Sequence, residues 1–293
     1  MRMRTAILVL ALAHGLAACG GSKSPSAPTP TPTPVPPQII PQPTGVQVTG
    51  FVADSAFRSL AGARVEVLDG PQAGTWAMSD ATGQFSLTGT FDDTTRFRAT
   101  SDGHVATIGT LSPACTGTCN PARRYMYFSM AVLAPPVEIA GDYTLTFIAD
   151  STCEDLPDEL RTRTYTATIA PGSNSHSPAN TFFWVTVSGV PLLHHYEGFP
   201  VGVAGDLVAF ELRGEGPYLV EEFEPNSYIG FDGRAEASVG SSRVSTISTS
   251  FEGWIDYCKL KSPMGTYFEC TPAQAVAQSR CESKNHRLVL VRR

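Results

Sequence analysis

Along most of this chain apolar and polar residues alternate one by one, in short runs broken by Gly, Asp, Asn and Pro. VQVTGFV, ARVEVL, GQFSLTG, YTLTFIA, TYTATIA, FWVTVSG, VAFELR, STISTSFEGW and HRLVLV all read this way. A period of two places alternate side chains on opposite faces of a strand, one buried and one wet. Helical periods are scarce. The exception follows Thr271, a fair N-cap, with Pro272 suited to the first helical position and Gln274 able to complete a capping box. A helix is expected there, inside a protein that is otherwise all-β. Ala134-Pro135-Pro136 marks a boundary between one β unit at 45–134 and a second at 137–293.

The start of the chain follows other rules. Arg2 and Arg4 precede the apolar run Thr5 to Ala13, and small residues follow in Leu16-Ala17-Ala18-Cys19-Gly20. That order makes an export signal at 1–18, and its apolar run is shorter than the roughly 20 residues that span a bilayer. Leu-Ala-Ala-Cys resembles the lipobox of bacterial lipoproteins, which implies cleavage before Cys19 and acyl chains on its thiol. The alternative is an ordinary secretory signal with an incidental cysteine. Gly20 stands where lipoproteins kept at the inner membrane often carry Asp, so the resemblance favours the outer membrane, facing the periplasm or the cell surface.

Residues 19–44 are then a linker. SKSPSAPTPTPTPVPPQIIPQPT (22–44) cannot form a ladder or a core. It favours an extended polyproline conformation at about 3.1 Å per residue, a reach of roughly 70 Å. Cleavage removes Arg2 and Arg4 and leaves 19 basic against 27 acidic residues, a net charge of about −8. Scattered charge of that sign offers nucleic acid no basic footprint, so nucleic acid is excluded as a partner.

The first β unit runs Val46-x-Val48-x-Gly50-x-Val52-x-Asp54, Leu60-Ala61-Gly62-Ala63-x-Val65-x-Val67, Ser79-Asp80-Ala81-Thr82-Gly83-Gln84-Phe85 and Phe97-Arg98-Ala99-Thr100-Ser101-Asp102-Gly103-His104. Asp80 to Gly83 reads as a turn, with Asp bonding its own backbone and Gly taking positive φ. A lone Asp falls short of the ligand count that calcium needs. Over about 90 residues the pattern resembles the carboxypeptidase regulatory-like domain, with Gly103-His104 in place of the usual Gly-Tyr. The resemblance implies a small transthyretin-type β-sandwich without catalysis, serving as a spacer, an adhesive unit or a carbohydrate-binding-like module.

The second unit opens on Gly141-Asp142-Tyr143 and closes on His286-Arg287-Leu288-Val289-Leu290-Val291, with roughly eight strand candidates in succession. If the first and last strands pair, they close an up-and-down barrel and leave no exposed edge. An open β-sandwich is the alternative. The opening, the closing basic strand and the strand count are loosely similar to lipocalin-like barrels, although Gly-Asp-Tyr replaces the usual Gly-x-Trp.

Seven cysteines less Cys19 leave six, an even number in an exported chain. Sequence distance favours Cys115 with Cys119, Cys258 with Cys270 and Cys153 with Cys281. A zinc site from Cys115, Cys119 and His104 is the rival, disfavoured because exported cysteines are usually bridged.

Candidate chemistry is sparse. His194-His195-Tyr196-Glu197 is suggestive, but adjacent strand residues face opposite ways, and the His-Glu-x-x-His spacing is missing. A loop reaching Glu221, Glu222 or Glu224 could still gather metal ligands there. Neither a nucleophile elbow nor a phosphate-binding glycine loop is present. Arg161 and Arg163 alternate on one strand face and suit an anionic ligand in a barrel, or salt bridges to Glu211 or Glu236. Trp184 and Trp254 read as core or strand-face cover, while Trp76, near a turn, is the better exposed aromatic. The expected protein is therefore non-enzymatic, without cofactor or metal, anchored to a membrane by lipid. It would bind a carbohydrate, a small molecule or a protein through its β domains. The alternatives are a structural spacer without a pocket and a metal-assisted hydrolase around His194 and His195.

Overall fold

The computed structural model describes residues 45–111, 123–173, 176–213, 219–240, 244–265 and 268–293, with the backbone alone at 194–196. The signal at 1–18, Cys19, the linker and the Cys115–Cys119 pair lie outside the described residues, as do the side chains of His194 and His195.

The first unit contains β1 (Val46–Asp54), β2 (Arg64–Val67), β3 (Trp76–Met78), β4 (Gln84–Gly89), β5 (Arg96–Thr100), β6 (Thr107–Thr110) and β7 (Arg123–Met130). They form two sheets, β4-β1-β7 and β3-β2-β5-β6, packed face to face. Strand β7 runs parallel to β1, and the other pairings are antiparallel. Alternation decides which side chains meet. Val48 and Val52, Val65 and Val67, Phe85 and Leu87, Phe97, Met126 and Phe128 point between the sheets and are buried.

The second unit contains β8 (Gly141–Ile148), a 3₁₀ turn at Asp158–Leu160, β9 (Thr162–Pro171), β10 (Phe182–Ser188), β11 (Leu192–Ala204), β12 (Leu207–Glu211), β13 (Leu219–Glu224), β14 (Ser227–Ser238), β15 (Thr246–Leu260) and β16 (Ala275–Arg292). All its pairings are antiparallel, and β8 pairs with β16, from Ile148 opposite Arg287 to Tyr143 opposite Arg292. With β10 also paired to β11, the sheet closes into an eight-stranded up-and-down barrel rather than an open sandwich. Strands β12 and β13 run the same way between β11 and β14 and share one barrel position.

Gly233 of β14 and Gly253 of β15 are directly opposed. A Cβ on Gly233 would lie 2.3 Å from the Glu252 carbonyl, and one on Gly253 would lie 2.1 Å from that of Asp232. Only glycine permits so close an approach of two backbones, which lets the sheet bend where it curls.

The barrel is filled. Phe147 stacks on Phe231 with centroids 4.3 Å apart, and Tyr165 and Phe251 meet the Phe147 ring edge-on. Phe199 and Phe210 pack farther along the interior. Each such ring contributes about 1.5–3 kcal/mol by leaving water.

The expected helix after Thr271 is replaced by one turn. Thr271 Oγ1 donates to Gln274 Oε1 at 2.7 Å, and the Gln274 and Ala275 amides donate to the Thr271 carbonyl. The chain then enters β16, whose ladder with β15 runs from Ala275 opposite Leu260 to Val291 opposite Thr246. A helix there would leave the far half of β15 without its partner. Two disulfides brace this region. Cys258–Cys270 pins the loop over the outer face of β15, and Cys153–Cys281 ties the β8–β9 connection to β16.

Residues Pro43–Arg293 form one compact unit, so the sandwich and the barrel are docked. The fully buried Asp54 carboxylate accepts from the Ala56 and Arg58 amides at 2.9 Å and from Arg58 Nε at 2.7 Å, holding a turn at the end of β1. That turn inserts against the barrel wall. Ser55 Oγ donates to the Val203 carbonyl at 2.6 Å, and Arg234 Nη2 donates to the Ala56 carbonyl at 2.9 Å. Small buried residues, Ala56, Ala204 and Ala209, let the surfaces close.

Candidate functional site

Arg163 does face into the barrel, but Arg161 does not share its surroundings. Arg161 precedes β9 and donates to the carbonyls of Leu156 and Glu154 in the β8–β9 connection, with Asp158 3.4 Å away. Arg163 is paired with Glu221 of β13, a residue only 1% exposed. Its Nε donates to Glu221 Oε2 at 3.0 Å, and the Tyr165 hydroxyl donates to the same oxygen at 2.9 Å. Burial, followed by the Glu221 charge, pushes the Tyr165 phenol well above its ordinary value. The salt bridges expected with Glu211 or Glu236 do not form, since both carboxylates serve Arg234. Glu221 claims Arg163 because β13 occupies the inner wall opposite β9, a juxtaposition across 58 residues of chain. The cation is already neutralised, and the interior around it is filled.

Glu222 is engaged as well, accepting from the Asn226 amide and the Tyr228 hydroxyl. Two of the three carboxylates considered for a metal beside His194 and His195 therefore have structural partners. His104 contacts the Asp102 carbonyl through Nδ1.

The tryptophans separate. Trp76 is 51% exposed, with the Arg64 guanidinium 5.1 Å from its ring centroid. Trp184 is partly exposed on the outer wall of the barrel. Trp254 is no core residue. It lies on the outer wall between Arg213 and Arg280, 5.0 and 5.2 Å from its ring, and these pair with Asp232 and Asp256 in turn. Burial raises both aspartates' pKa values, and the guanidiniums oppose that shift. Two guanidiniums, each paired with a carboxylate, thus face one indole ring.

Among the described residues, a concave surface with aromatic and polar lining lies on the sandwich. The outward residues of β1, β4 and β7 align in rows. Ser86, Thr49 and Tyr125 form one row, and Gln84, Phe51 and Tyr127 form the next. Phe51 and Tyr127 stack with centroids 5.9 Å apart and planes 8° from parallel. Tyr125 stands 61% exposed beside them. Gln47 Nε2 donates to Ser86 Oγ at 3.3 Å, and Met78 and Asp80 form the far rim. The groove encloses ≈ 500 Å³. Hydrogen bonds from the Thr82 hydroxyl and from the Gln84 and Thr82 amides hold the Asp80 carboxyl below its usual pKa, so the rim carries a fixed negative charge at neutral pH.

Sequence reasoning missed this surface. RRYMYFSM holds the signal, since Tyr125 and Tyr127 share one strand face, but their neighbours on β1 and β4 emerge only from the register. Trp76 lies two residues from Met78 on β3 and does not line the groove. Among the described residues, one group of ligating side chains converges, Cys153, Cys281 and His286. No family model matches this chain, and neither a curated protein nor a solved structure matches it significantly.

Proposed function

We propose that this chain is a non-enzymatic lipoprotein of the cell envelope, tethered through Cys19, that binds a glycan on the outer face of its sandwich. The groove over β4-β1-β7 carries this reading. A pyranose ring presents a C–H face that packs on an aromatic ring and an equatorial rim of hydroxyls that need partners. Tyr125 offers an exposed ring with a polar tip. Gln47, Gln84, Thr49 and Ser86 offer amides and hydroxyls within the same groove. A concave site with a few placed polar groups is the usual form of a ligand pocket.

Other features support the same role. The export signal, the lipobox-like Leu-Ala-Ala-Cys19 and the Pro/Thr-rich linker suit a folded head held off an outer-membrane surface. The two-sheet unit is compatible with a carboxypeptidase regulatory-like sandwich, and the closed barrel with a lipocalin-like one. In this reading the barrel serves as a rigid base, because its interior is packed with rings and its inward cation is paired.

The test is a panel of bacterial and plant polysaccharides presented to the protein, with affinities measured by calorimetry. A retained glycan whose binding weakens by about tenfold or more in Tyr125→Ala, a loss of about 1.4 kcal/mol, is the expected result. Binding untouched by that substitution places the site elsewhere. Failure to retain any glycan leaves the role of envelope spacer.

A further inference from the structure

The groove on the sandwich holds a charge that the glycan-binding reading leaves unused. Of the residues that line it, Asp80 alone is ionised at neutral pH, the rest being amides, hydroxyls and apolar groups. The turn after β3 fixes its place. The Asp80 amide donates to the Gln84 carbonyl at 2.8 Å, so the carboxylate stands at the start of β4, beside the row of Gln84, Phe51 and Tyr127. Its two oxygens differ in what they do. Oδ1 accepts from the Thr82 hydroxyl at 2.7 Å, the Thr82 amide at 2.8 Å and the Gln84 amide at 3.0 Å. Among the described residues nothing donates to Oδ2, and no Lys or Arg pairs with the carboxylate. The cations of the neighbouring strands are placed elsewhere. Arg64 lies over the Trp76 ring and beside Glu66, and Arg123, opposite Gln47 at the other end of the face, is outside the lining.

We infer that the groove selects a glycan with free, protonated amines, a deacetylated hexosamine chain, through an ion pair between a sugar ammonium and Asp80 Oδ2. The inference rests on the glycan-binding reading and names the sugar class for that site. An amino sugar meets both requirements of the groove. Its pyranose C–H face packs on the Tyr125 ring as that of any hexose would, while its ammonium brings three donors to an oxygen that has none. Aromatic faces nearby also attract a cation. An N-acetylated sugar keeps the ring but loses the charge and two of the donors, and a uronic acid would set its carboxylate against Asp80. Hydrogen bonds from the Thr82 hydroxyl and from the Gln84 and Thr82 amides hold the Asp80 carboxyl below its usual pKa. It therefore stays ionised at mildly acidic pH, where sugar amines are protonated. Asp80 is exposed, and an exposed ion pair is worth about fivefold in affinity at most. The carboxylate thus sets a preference among glycans, and the tyrosine platform supplies the binding common to all of them.

The experiment measures, by calorimetry at mildly acidic pH, binding of the full chain to tetramers of glucosamine, N-acetylglucosamine and glucose with one common linkage. The glucosamine tetramer is expected to bind about fivefold more tightly than the other two, by a margin that shrinks as salt is added. Asp80→Asn keeps an acceptor oxygen for the turn and should erase the margin without weakening the two neutral tetramers. Asp206→Asn, the same loss of charge at an exposed position on the barrel, should leave the margin intact. Equal binding of all three tetramers, a margin that survives Asp80→Asn, or one lost in Asp206→Asn overturns the inference and leaves the glycan-binding reading standing. A margin that depends on Asp80 while Tyr125→Ala changes nothing reveals a cation site without a sugar platform and overturns both. Absence of binding to any tetramer overturns the inference, and the polysaccharide panel then decides the broader reading.

Discussion

Arg163 and Glu221 show how a residue can have the right orientation and yet be unavailable to a ligand. The Glu221 side chain is almost wholly removed from water, and the guanidinium and the Tyr165 hydroxyl replace its hydration. Breaking a buried pair by deleting one partner typically costs about 3–5 kcal/mol, because the remaining charge is stranded. Arg163 keeps some solvent contact, so Arg163→Ala should fall near the lower end, about 3 kcal/mol, read as a lower midpoint in urea. Pairing Arg163→Met with Glu221→Leu should restore most of that loss, since the double change leaves no orphaned charge. A single Arg163→Ala as stable as the parent would show that water already reaches Glu221. Trp254 makes a related point on the outer wall. Its flanking alternation suggested cover for a core, but the ring is clasped by Arg213 and Arg280, residues that local sequence does not place beside it.

At the scale of elements, the loop between β15 and β16 is the most instructive. The capping box read from the sequence is not made: the Thr271 hydroxyl donates to the Gln274 side-chain oxygen, and the Gln274 amide bonds the Thr271 carbonyl. One turn forms there, because β16, eighteen residues long, gains a ladder on β15 over most of its length and, near the C-terminus, on β8. The loop is fastened by Cys258–Cys270, with Val220, Tyr228 and Leu260 forming a small core on the outer face of the barrel. A bridge across 12 residues contributes about 3 kcal/mol on the chain-entropy view. Cys258→Ala with Cys270→Ala should lower unfolding free energy by about that amount and expose Lys261 to trypsin in the native state. Undiminished stability would mean that the small core alone holds the loop. The strands with clean alternation, such as β1, β4, β8 and β9, were legible from sequence. Strand β14 was not, because Gly230 and Gly233 interrupt its pattern and seven consecutive residues are buried. It lies against the barrel interior on one side and against the small outer core and the sandwich joint on the other, which erases the period of two.

The whole molecule depends on a narrow joint. The turn 54–58 meets the barrel at Gly202, where a Cβ would sit 2.3 Å from the Ser55 carbonyl. The nearest atom is backbone, which cannot swing aside, and the Phe57 ring and the Ala56 Cα also lie within 3.0 Å. Gly202→Val should therefore loosen the joint while sparing both cores, giving two calorimetric transitions where the parent gives one. A single unshifted transition would show that the lobes hold together without this contact.

By itself, the sequence determined that the chain is all-β and located the strands with clean alternation, such as β1, β2, β4, β8, β9 and β10. Alternation, proline and turn residues act within a few residues of one another, so they can be read locally. The tertiary structure alone decided that the barrel closes, that β12 and β13 share one strand position, that Arg163 answers to Glu221, and that Tyr125 shares a groove with residues of β1 and β4. Each of these depends on inter-strand register, and the hydrogen bonds that set register join residues tens to more than a hundred positions apart.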